Sequence, residues 1–580
     1  MTHPVHKAGR LLKNNMIAGT LLLTCAGLIT RIIGFFYRIF LSNALGARLL
    51  GIYQLIFPVY GICFTIFASG IQTAISKEVA EKQATRDERG TGCFLLTGTL
   101  LSVALALLLS ALLFFSCRLT ADLLLHEPEC AESLRLLSVA FPFCGITSCI
   151  SGYYYGKKRS FVPATSQLAE QTVRVVFLLL VSASVPVTCE LAIVALLAGE
   201  LFSCVYSCLG LLIMRRRERR RALPAGIRTG TLGTAHSGRS ANAGMVHNSR
   251  GANAGMVHGD RSANAGTAHN GRSANAGTAA QAATALTAGR SGGWRSDLKR
   301  LLKRSVPLTT NRLFINVLHS FEAFLVPLTL RRYGMSRDEA LSIFGILSGM
   351  TMSFLMFPGT LTNSLSVLLL PAVSEASARD NRRGLARSIS VSIKYSVLLG
   401  VFAGFAFFFF GEELGVVVFH EEKAGVYLAC LSFLCPILYV STTLSSILNG
   451  LDKMNLTFLS SVLGLTLRVI LFGALIPRLS VYGYFVSLLV SQLFMTLFDL
   501  ILIRRSVAFS FDAVNTIVKP SVILLAAASF FFRVYEFLAS QTALPHLLLL
   551  GVCGTVMTLC ALGLFAATGI FRRNEPGAGD

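Results

Sequence analysis

The chain has 580 residues, 53% of them hydrophobic and only 14% charged, and its mean hydropathy is +0.64. That apolar excess excludes an ordinary soluble fold, and recurrent apolar runs of about 20 residues or more exclude a β-barrel of short alternating strands. The formal net charge of +23 would point to nucleic acid in a soluble protein, but here the basic residues must first be sorted by membrane side.

The chain reads as an all-α, polytopic membrane protein with 14 candidate spans: about 15–41, 49–76, 91–117, 131–155, 161–185, 189–214, 305–330, 340–371, 388–410, 424–449, 456–477, 481–503, 517–539 and 544–570. The loops alternate in charge. Lys77, Lys82, Lys157, Lys158, Arg383, Lys453, Arg504 and Arg505 fall on one side, which the positive-inside rule assigns to the cytoplasm together with both termini. The basic N-terminus imitates a signal peptide. Its apolar run is too long, and no small-residue cleavage site follows, so the first span is read as uncleaved.

The first span carries Arg31 and Arg38. An arginine in hydrocarbon costs at least a few kcal/mol, so its retention points to a use. Seven residues separate the two, which places them on nearly one helix face about 10 Å apart. Gly34 between them leaves room for a ligand to approach the backbone. The pair is read as holding an anionic head group; capping of carbonyls and snorkelling to the interface are the structural alternatives.

Among the later spans, Glu170 and Arg174 form an i, i+4 pair, read as structural. Span 7 carries Arg312, His319 and Glu322, the last two sharing a face at i, i+3. Arg312 and His319 are further candidates for the anion. Glu322 either pairs with an arginine or binds the coupling ion. Arg468 has Gly464 where Arg174 has Glu170, so its charge must be met from elsewhere. Asp499 is read as interfacial, and the His-Glu pairs 126/127 and 420/421 as ending an outer helix in each half, in a cap or surface role. Pro58, Pro142, Pro327, Pro358 and Pro436 fall within spans and are expected to bend them.

Residues 215–304 differ in composition. An arginine cluster opens them, and an 11-residue repeat follows, marked by Arg239, Arg250, Arg261 and Arg272 and by His236, His247, His258 and His269. With almost no large apolar side chains, this linker is expected to be disordered and cytoplasmic. Regular histidines in such a chain fix no metal geometry. The 14 cysteines are scattered without a CxxC and read as small apolar fillers.

Adding 294 to a residue number maps the first half onto the second: Arg89-Gly90 onto Arg383-Gly384, His126-Glu127 onto His420-Glu421, Pro142 onto Pro436, and Arg174-Val175 onto Arg468-Val469. Spans 1–6 and 7–12 are therefore parallel repeats, with a site expected between them near mid-membrane. The first spans align less cleanly. An offset of 288 puts Gly46 on Gly334 and is preferred for its loop ends; 281 would put Arg31 on Arg312 and Arg38 on His319. Glu200 maps onto Gln492 at an offset of 292, a polar packing position. The domains are thus 1–214, the linker 215–304, 305–504, and two additional spans in 505–580.

At Thr30-Arg31-Ile32-Ile33-Gly34-Phe35, with Arg38, Gly46, Gly51-Ile52-Tyr53-Gln54 and Phe67-Ala68-Ser69-Gly70, the chain resembles polysaccharide-biosynthesis exporters of the stage V sporulation protein B type. These belong to the multidrug/oligosaccharidyl-lipid/polysaccharide exporter superfamily, and the Thr-Arg-x-x-Gly-Phe start is similar to that of the bacterial lipid II flippases. The resemblance implies two six-helix lobes about a cationic cavity, a groove for a polyprenyl tail at spans 13–14, and alternating access. It implies a lipid-linked oligosaccharide as substrate, in a bacterial cell membrane, with peptidoglycan, polysaccharide or sporulation roles. Arg31 matches the flippases' cavity arginine of the first span, and Arg38 the next with one additional residue between. Their arginines on spans 2 and 8 have no counterpart, since 49–76 and 340–371 contain no basic residue. Glu322 resembles the acidic residue of span 7 in the sporulation-type proteins.

No Walker A motif, HExxH, DxD or DDxxD occurs, so no ATPase, metalloprotease or metal-dependent transferase chemistry is expected, and no cofactor or nucleic acid. Membrane lipids are the surroundings, and either the membrane potential or an H⁺ or Na⁺ gradient is the driving force. A cation-coupled drug exporter and a non-transporting scaffold in wall or spore assembly are the alternative readings.

Overall fold

The structure is a computed structural model; it describes residues 4–85, 87–222, 294–378, 382–509, 511–542 and 544–570. Most of the repetitive linker lies outside the described residues, as do the ends of the chain.

In a bilayer every backbone N–H and C=O must be satisfied within the protein, so long apolar runs become helices. The described chain is helical throughout: α1 (4–45), α2 (47–84), α3 (Glu88–Thr120), α4 (Cys130–Ser138 and Phe141–Gly156), α5 (Phe161–Ser182), α6 (Cys189–Ala222), α7 (Trp294–Tyr333), α8 (337–378), α9 (Arg382–Phe419), α10 (Glu422–Leu431 and Leu434–Gly450), α11 (Met454–Leu479), α12 (Val481–Ser506), α13 (Lys519–Gln541) and α14 (His546–Ala567). By length and hydropathy ten helices qualify as spans, or twelve if each bent pair counts as one. Two adjustments give fourteen. The 60-residue candidate Cys25–Ala84 divides at Gly46, and α5 falls outside the ten while carrying Glu170 and Arg174.

Gly46 separates α1 from α2 with φ 73°, a left-handed conformation that a side chain would strain. Tyr37 and Tyr53, sixteen residues apart, are neighbours, whereas a straight helix would hold them about 24 Å apart, so the chain doubles back at Gly46. His126 (φ 56°) and His420 (φ 54°) end α3 and α9 alike, so the duplication preserves a left-handed helix stop. Pro142 and Pro436 start the second segments of α4 and α10, after bends of 46° and 59°. Each stands in a first helical turn, where its missing N–H is harmless. Among the described residues four π turns occur, at Thr65–Ser69 in α2, Ala121–Leu125 after α3, Ile346–Thr351 in α8, and Val514–Val518 before α13.

The two copies meet through their first two helices. α1 packs on α8 and α7 packs on α2, while α2 and α8 meet directly. A Cβ at Gly51 would stand 2.2 Å from the Leu341 carbonyl oxygen, and one at Gly345 would stand 2.0 Å from that of Ala47. Gly51 and Gly345 are equivalent by the 294 offset, so the copies touch about a pseudo-twofold axis. The apolar core around this contact is continuous between the copies, running from Leu41, Leu50 and Leu55 to Leu341, Leu347 and Leu355. It lies toward the end opposite the basic loops. α13 and α14 sit outside the duplication, with Leu524 and Phe565 in a second core shared with Ile389 and Ile393 of α9.

Candidate functional site

Arg31 and Arg38 share the face of α1 that meets α8. Phe35 between them stacks on Phe357 at a centroid distance of 4.1 Å and stands edge-on to Phe354 at 5.0 Å. Arg38 donates to the Ser353 hydroxyl at 3.2 Å. α8 breaks at Phe357–Pro358, so Arg31, one turn before Phe35, lies beside an interrupted helix ladder. Arg31 is exposed and has no hydrogen-bond or ion-pair partner among the described residues. Cβ atoms at Gly27 or Gly34 would meet nothing within 4 Å. The room expected beside Gly34 is present.

The matching seam between α7 and α2 is closed. Thr309 packs on Gly70, where an added Cβ would be 1.9 Å from its hydroxyl oxygen. Arg312 donates to the Ser69 carbonyl at 2.9 Å and to the Ser69 hydroxyl at 2.5 Å. Asn316 donates to Thr65 and Gly61, and Ser320 to the Pro58 carbonyl. Arg312 thus serves the end of a π turn, where carbonyls are poorly matched within the helix.

These contacts settle the alignment of the first helices. Under the 294 offset, Phe354 and Phe357 correspond to Tyr60 and Cys63. Phe35 touches the former pair, and Asn316 touches Gly61 and Thr65. Phe35 and Asn316 are therefore equivalent, an offset of 281 and not the 288 preferred from the loop ends. Loop ends misled because the second copy carries 13 additional residues, the difference between 294 and 281, in the hairpin joining α7 to α8. Arg31 corresponds to Arg312, and Arg38 to His319.

His319 and Glu322 belong to a different cluster. Arg468 on α11 donates to Glu322 at 3.2 Å, to Ser491 at 2.8 Å and to Gln492 at 3.0 Å. His319 Nδ1 stands 3.4 Å from the other Glu322 oxygen, with its ring half-exposed. The partner that Arg468 lacks on its own helix is therefore Glu322 from α7. In the first copy Arg174 takes Glu170 at 2.8 Å on its own helix, with Glu200, Tyr37 and Tyr53 close by. No contact joins the Arg31–Arg38 pair to the His319–Glu322 pair among the described residues.

An ionic network that sequence reasoning missed crosses between the copies at the end opposite the basic loops. Glu127, 1% exposed, accepts from Arg337 at 2.5 Å and lies 3.7 Å from Arg331. Of the cap or surface role expected, His126 ends its helix, but Glu127 is buried and not at the surface. Arg48 bridges Glu129 at 2.5 Å and Asp338 at 2.6 Å. Arg331, Arg337 and Asp338 lie in the lengthened hairpin, which has no counterpart in the first copy and so left no repeat signal. Toward the basic end, Arg304 chelates Glu81 at 2.8 and 2.9 Å and pairs with Glu78 at 2.9 Å, extending the α2–α7 seam. Two cations on one face, neither with a counter-charge among the described residues and Arg31 with no partner at all, can bind an anion by charge-assisted hydrogen bonds, with the second seam held fixed.

Residues 16–231 match the polysaccharide biosynthesis protein family. The chain is 22% identical to stage V sporulation protein B of Bacillus subtilis over 84% of its own length and 83% of the relative's. It is 20% identical to the lipid II flippase MurJ of the same organism over 98% of both chains. Among solved structures, the lipid II flippase MurJ in an inward closed conformation superposes with a TM-score of 0.58 at 12% identity, covering 95% of this chain and all of that one. An inward-facing multidrug transporter of the MATE family gives 0.57 at 12% identity, covering 84% and 98%. The exporter resemblance read from Thr30–Arg38 is thus found over nearly the whole chain. The protein is a multi-pass membrane protein with the fold of these transporters.

Proposed function

We propose that this protein is a flippase that carries a polyprenyl-pyrophosphate-linked saccharide, lipid II or a related wall or polysaccharide precursor, across a bacterial cell membrane. The observation that carries the proposal is Arg31, a cation within an apolar span, without a counter-charge, beside the break in α8. Arg31 and Arg38 take the pyrophosphate, and His319, the equivalent of Arg38, reaches it from the second lobe. Arg312 holds the π turn of α2, and Glu322 holds Arg468. The basic end faces the cytoplasm, where the α1–α8 seam admits the lipid, and the ionic network closes the outer end. Transport needs no catalytic step. An inside-negative potential favours outward movement of each negative head-group charge by about 2.3 kcal/mol per 100 mV. A cationic drug fits poorly beside an unpaired arginine.

The test is translocation of a fluorescent lipid-linked saccharide in proteoliposomes. Losing one charged hydrogen-bond donor is worth about 1.5–3 kcal/mol, so Arg31→Ala should slow translocation roughly ten- to hundredfold, with Arg31→Lys intermediate. Unchanged transport by Arg31→Ala would remove the arginine from the site. Transport of an organic cation with no transport of the saccharide would favour the exporter reading.

A further inference from the structure

α13 lies outside the duplication and packs on α9 and α14 through one side, where Leu524, Ala527, Ala528 and Tyr535 are buried. Tyr535 donates to Glu413 of α9 at 3.0 Å, so the polar group on that side is satisfied. The opposite side has a different character. Val522, Ala526, Ser529, Arg533, Glu536 and Ser540 follow one another at alternating steps of four and three residues, and each is exposed or half-exposed. That is the spacing of a heptad seam, along which two helices stay in contact in a left-handed crossing. Apart from Val522 its members are small or polar, while the large apolar Leu525, Phe530 and Phe537 stand exposed on its flanks. A face made only for lipid needs no such seam. Lipid tails give helices no hydrophobic reason to associate, so small residues that allow close approach and polar side chains that bond across are what pairing uses.

The charged pair within the seam needs a partner. Arg533 lies roughly 12 Å from the nearer end of α13, its C-terminus. Its side chain is 84% exposed, and it stands 3.6 Å from Glu536, itself 49% exposed. That distance makes an ion pair and not a hydrogen bond, so the five guanidinium N–H donors have no acceptor among the described residues. Two ions facing hydrocarbon are costly. Helical side chains lean toward the N-terminus, here away from the nearer surface, which places Arg533 poorly for snorkelling. Ser529 and Ser540, by contrast, are satisfied by the Leu525 and Phe537 carbonyls of their own helix. A hydrocarbon tail would answer neither ion, and a lipid phosphate would answer Arg533 and repel Glu536.

We infer that this face of α13 is the contact with a second copy of the same chain, about a twofold axis along the membrane normal. Such an axis brings identical faces together in parallel, and each heptad position then lies against partner positions three residues away. Arg533 of each copy meets Glu536 of the other, so the seam is complementary to itself. Ala526 and Ser529 let the two helices approach closely. The seam shares no residue with the head-group site, and the inference does not depend on the flippase reading.

Disulfide cross-linking of the full chain in native membranes tests it, after the native cysteines have been replaced. Ser529→Cys should give a covalent dimer on oxidation, and Leu108→Cys, exposed on α3, should not. Arg533→Glu places two acids on each seam and Glu536→Arg two bases, so either change alone should lower the Ser529→Cys cross-link by at least about tenfold through like-charge repulsion. The two variants expressed together under different tags should cross-link to each other. The exchanged pair Arg533→Glu/Glu536→Arg should cross-link by itself, which keeps the test open if a single variant fails to insert. Absence of a wild-type dimer, equal cross-linking through Leu108→Cys, or capture of a different protein alone would overturn the inference. So would failure of the charge exchanges to restore the dimer, or sensitivity to Arg533→Glu without sensitivity to Glu536→Arg, which would mean a lipid phosphate.

Discussion

The buried carboxylate of the interlobe network makes a directional prediction. Glu127 is 1% exposed at the side chain, whereas Arg331 and Arg337 are 37% and 38% exposed. Removing the carboxylate leaves two arginines that can turn to water, and the loss should be about 1 kcal/mol, typical of exposed pairs. Removing both arginines leaves a buried, uncompensated anion, and the penalty should be about 3–5 kcal/mol. At about 1.4 kcal/mol per tenfold, the double variant should shift the balance between joined and separated lobes by roughly 10²–10³-fold, against about fivefold for Glu127→Gln. Spin labels on α4 and α8 at this end would report the interlobe distance. The native cysteines can be replaced beforehand, since all are free. Arg331→Ala/Arg337→Ala should give a distribution dominated by the longer distance, and Glu127→Gln one close to wild type. Equal shifts in the two variants would refute the argument from burial, and no shift in either would show that the network does not hold the lobes.

Other outcomes follow from the same geometry. Gly51→Ala forces a methyl to within 2.2 Å of a carbonyl oxygen, so α2 and α8 must part; the Tm should fall, by about 1–3 kcal/mol of overpacking, and Gly345→Ala should behave alike. Arg468→Met should destabilise by about 3–5 kcal/mol because it strands Glu322, and Arg468→Met/Glu322→Gln should recover much of that in a thermal double-mutant cycle. Under the corrected register, the counterpart of the Arg312–Ser69 contact is Arg31 with Asn363, which does not form here. Cysteines at 31 and 363 should cross-link only when the α1–α8 seam closes, and saturating lipid-linked saccharide should change the yield.

Much of the architecture was legible because hydrophobic length and a gap-free repeat are one-dimensional signals. The offset carrying Arg174 to Arg468 also placed their clusters in equivalent positions. What could not be read were contacts between segments distant in sequence. Nothing on α11 indicates that Arg468 meets Glu322 on α7, 146 residues away. The register of α1 against α7 failed for a related reason: loop ends align by position in the chain, helices by what they touch. The hairpin insertion moved the first without moving the second. Arg31 and Arg38 stand out in the sequence by their cost in hydrocarbon. Asp499 was misjudged because its nearness to Arg504 suggested an interface, while its burial arises from α10 and α11 folding over it.

The contacts of α1 with α8 and of α7 with α2 also constrain how the protein is made. When α1 enters the membrane, its docking surface on α8 has not yet been synthesised, and Glu127 waits with no arginine opposite it. The first half is therefore an unfinished product that must persist in the bilayer until the second arrives. A chain severed within residues 223–293 should be rebuilt when both pieces are expressed together, because the seams between described helices join the lobes. Either piece alone should be cleared by membrane quality-control proteases. Those two outcomes together would make biogenesis a two-part assembly encoded in one reading frame.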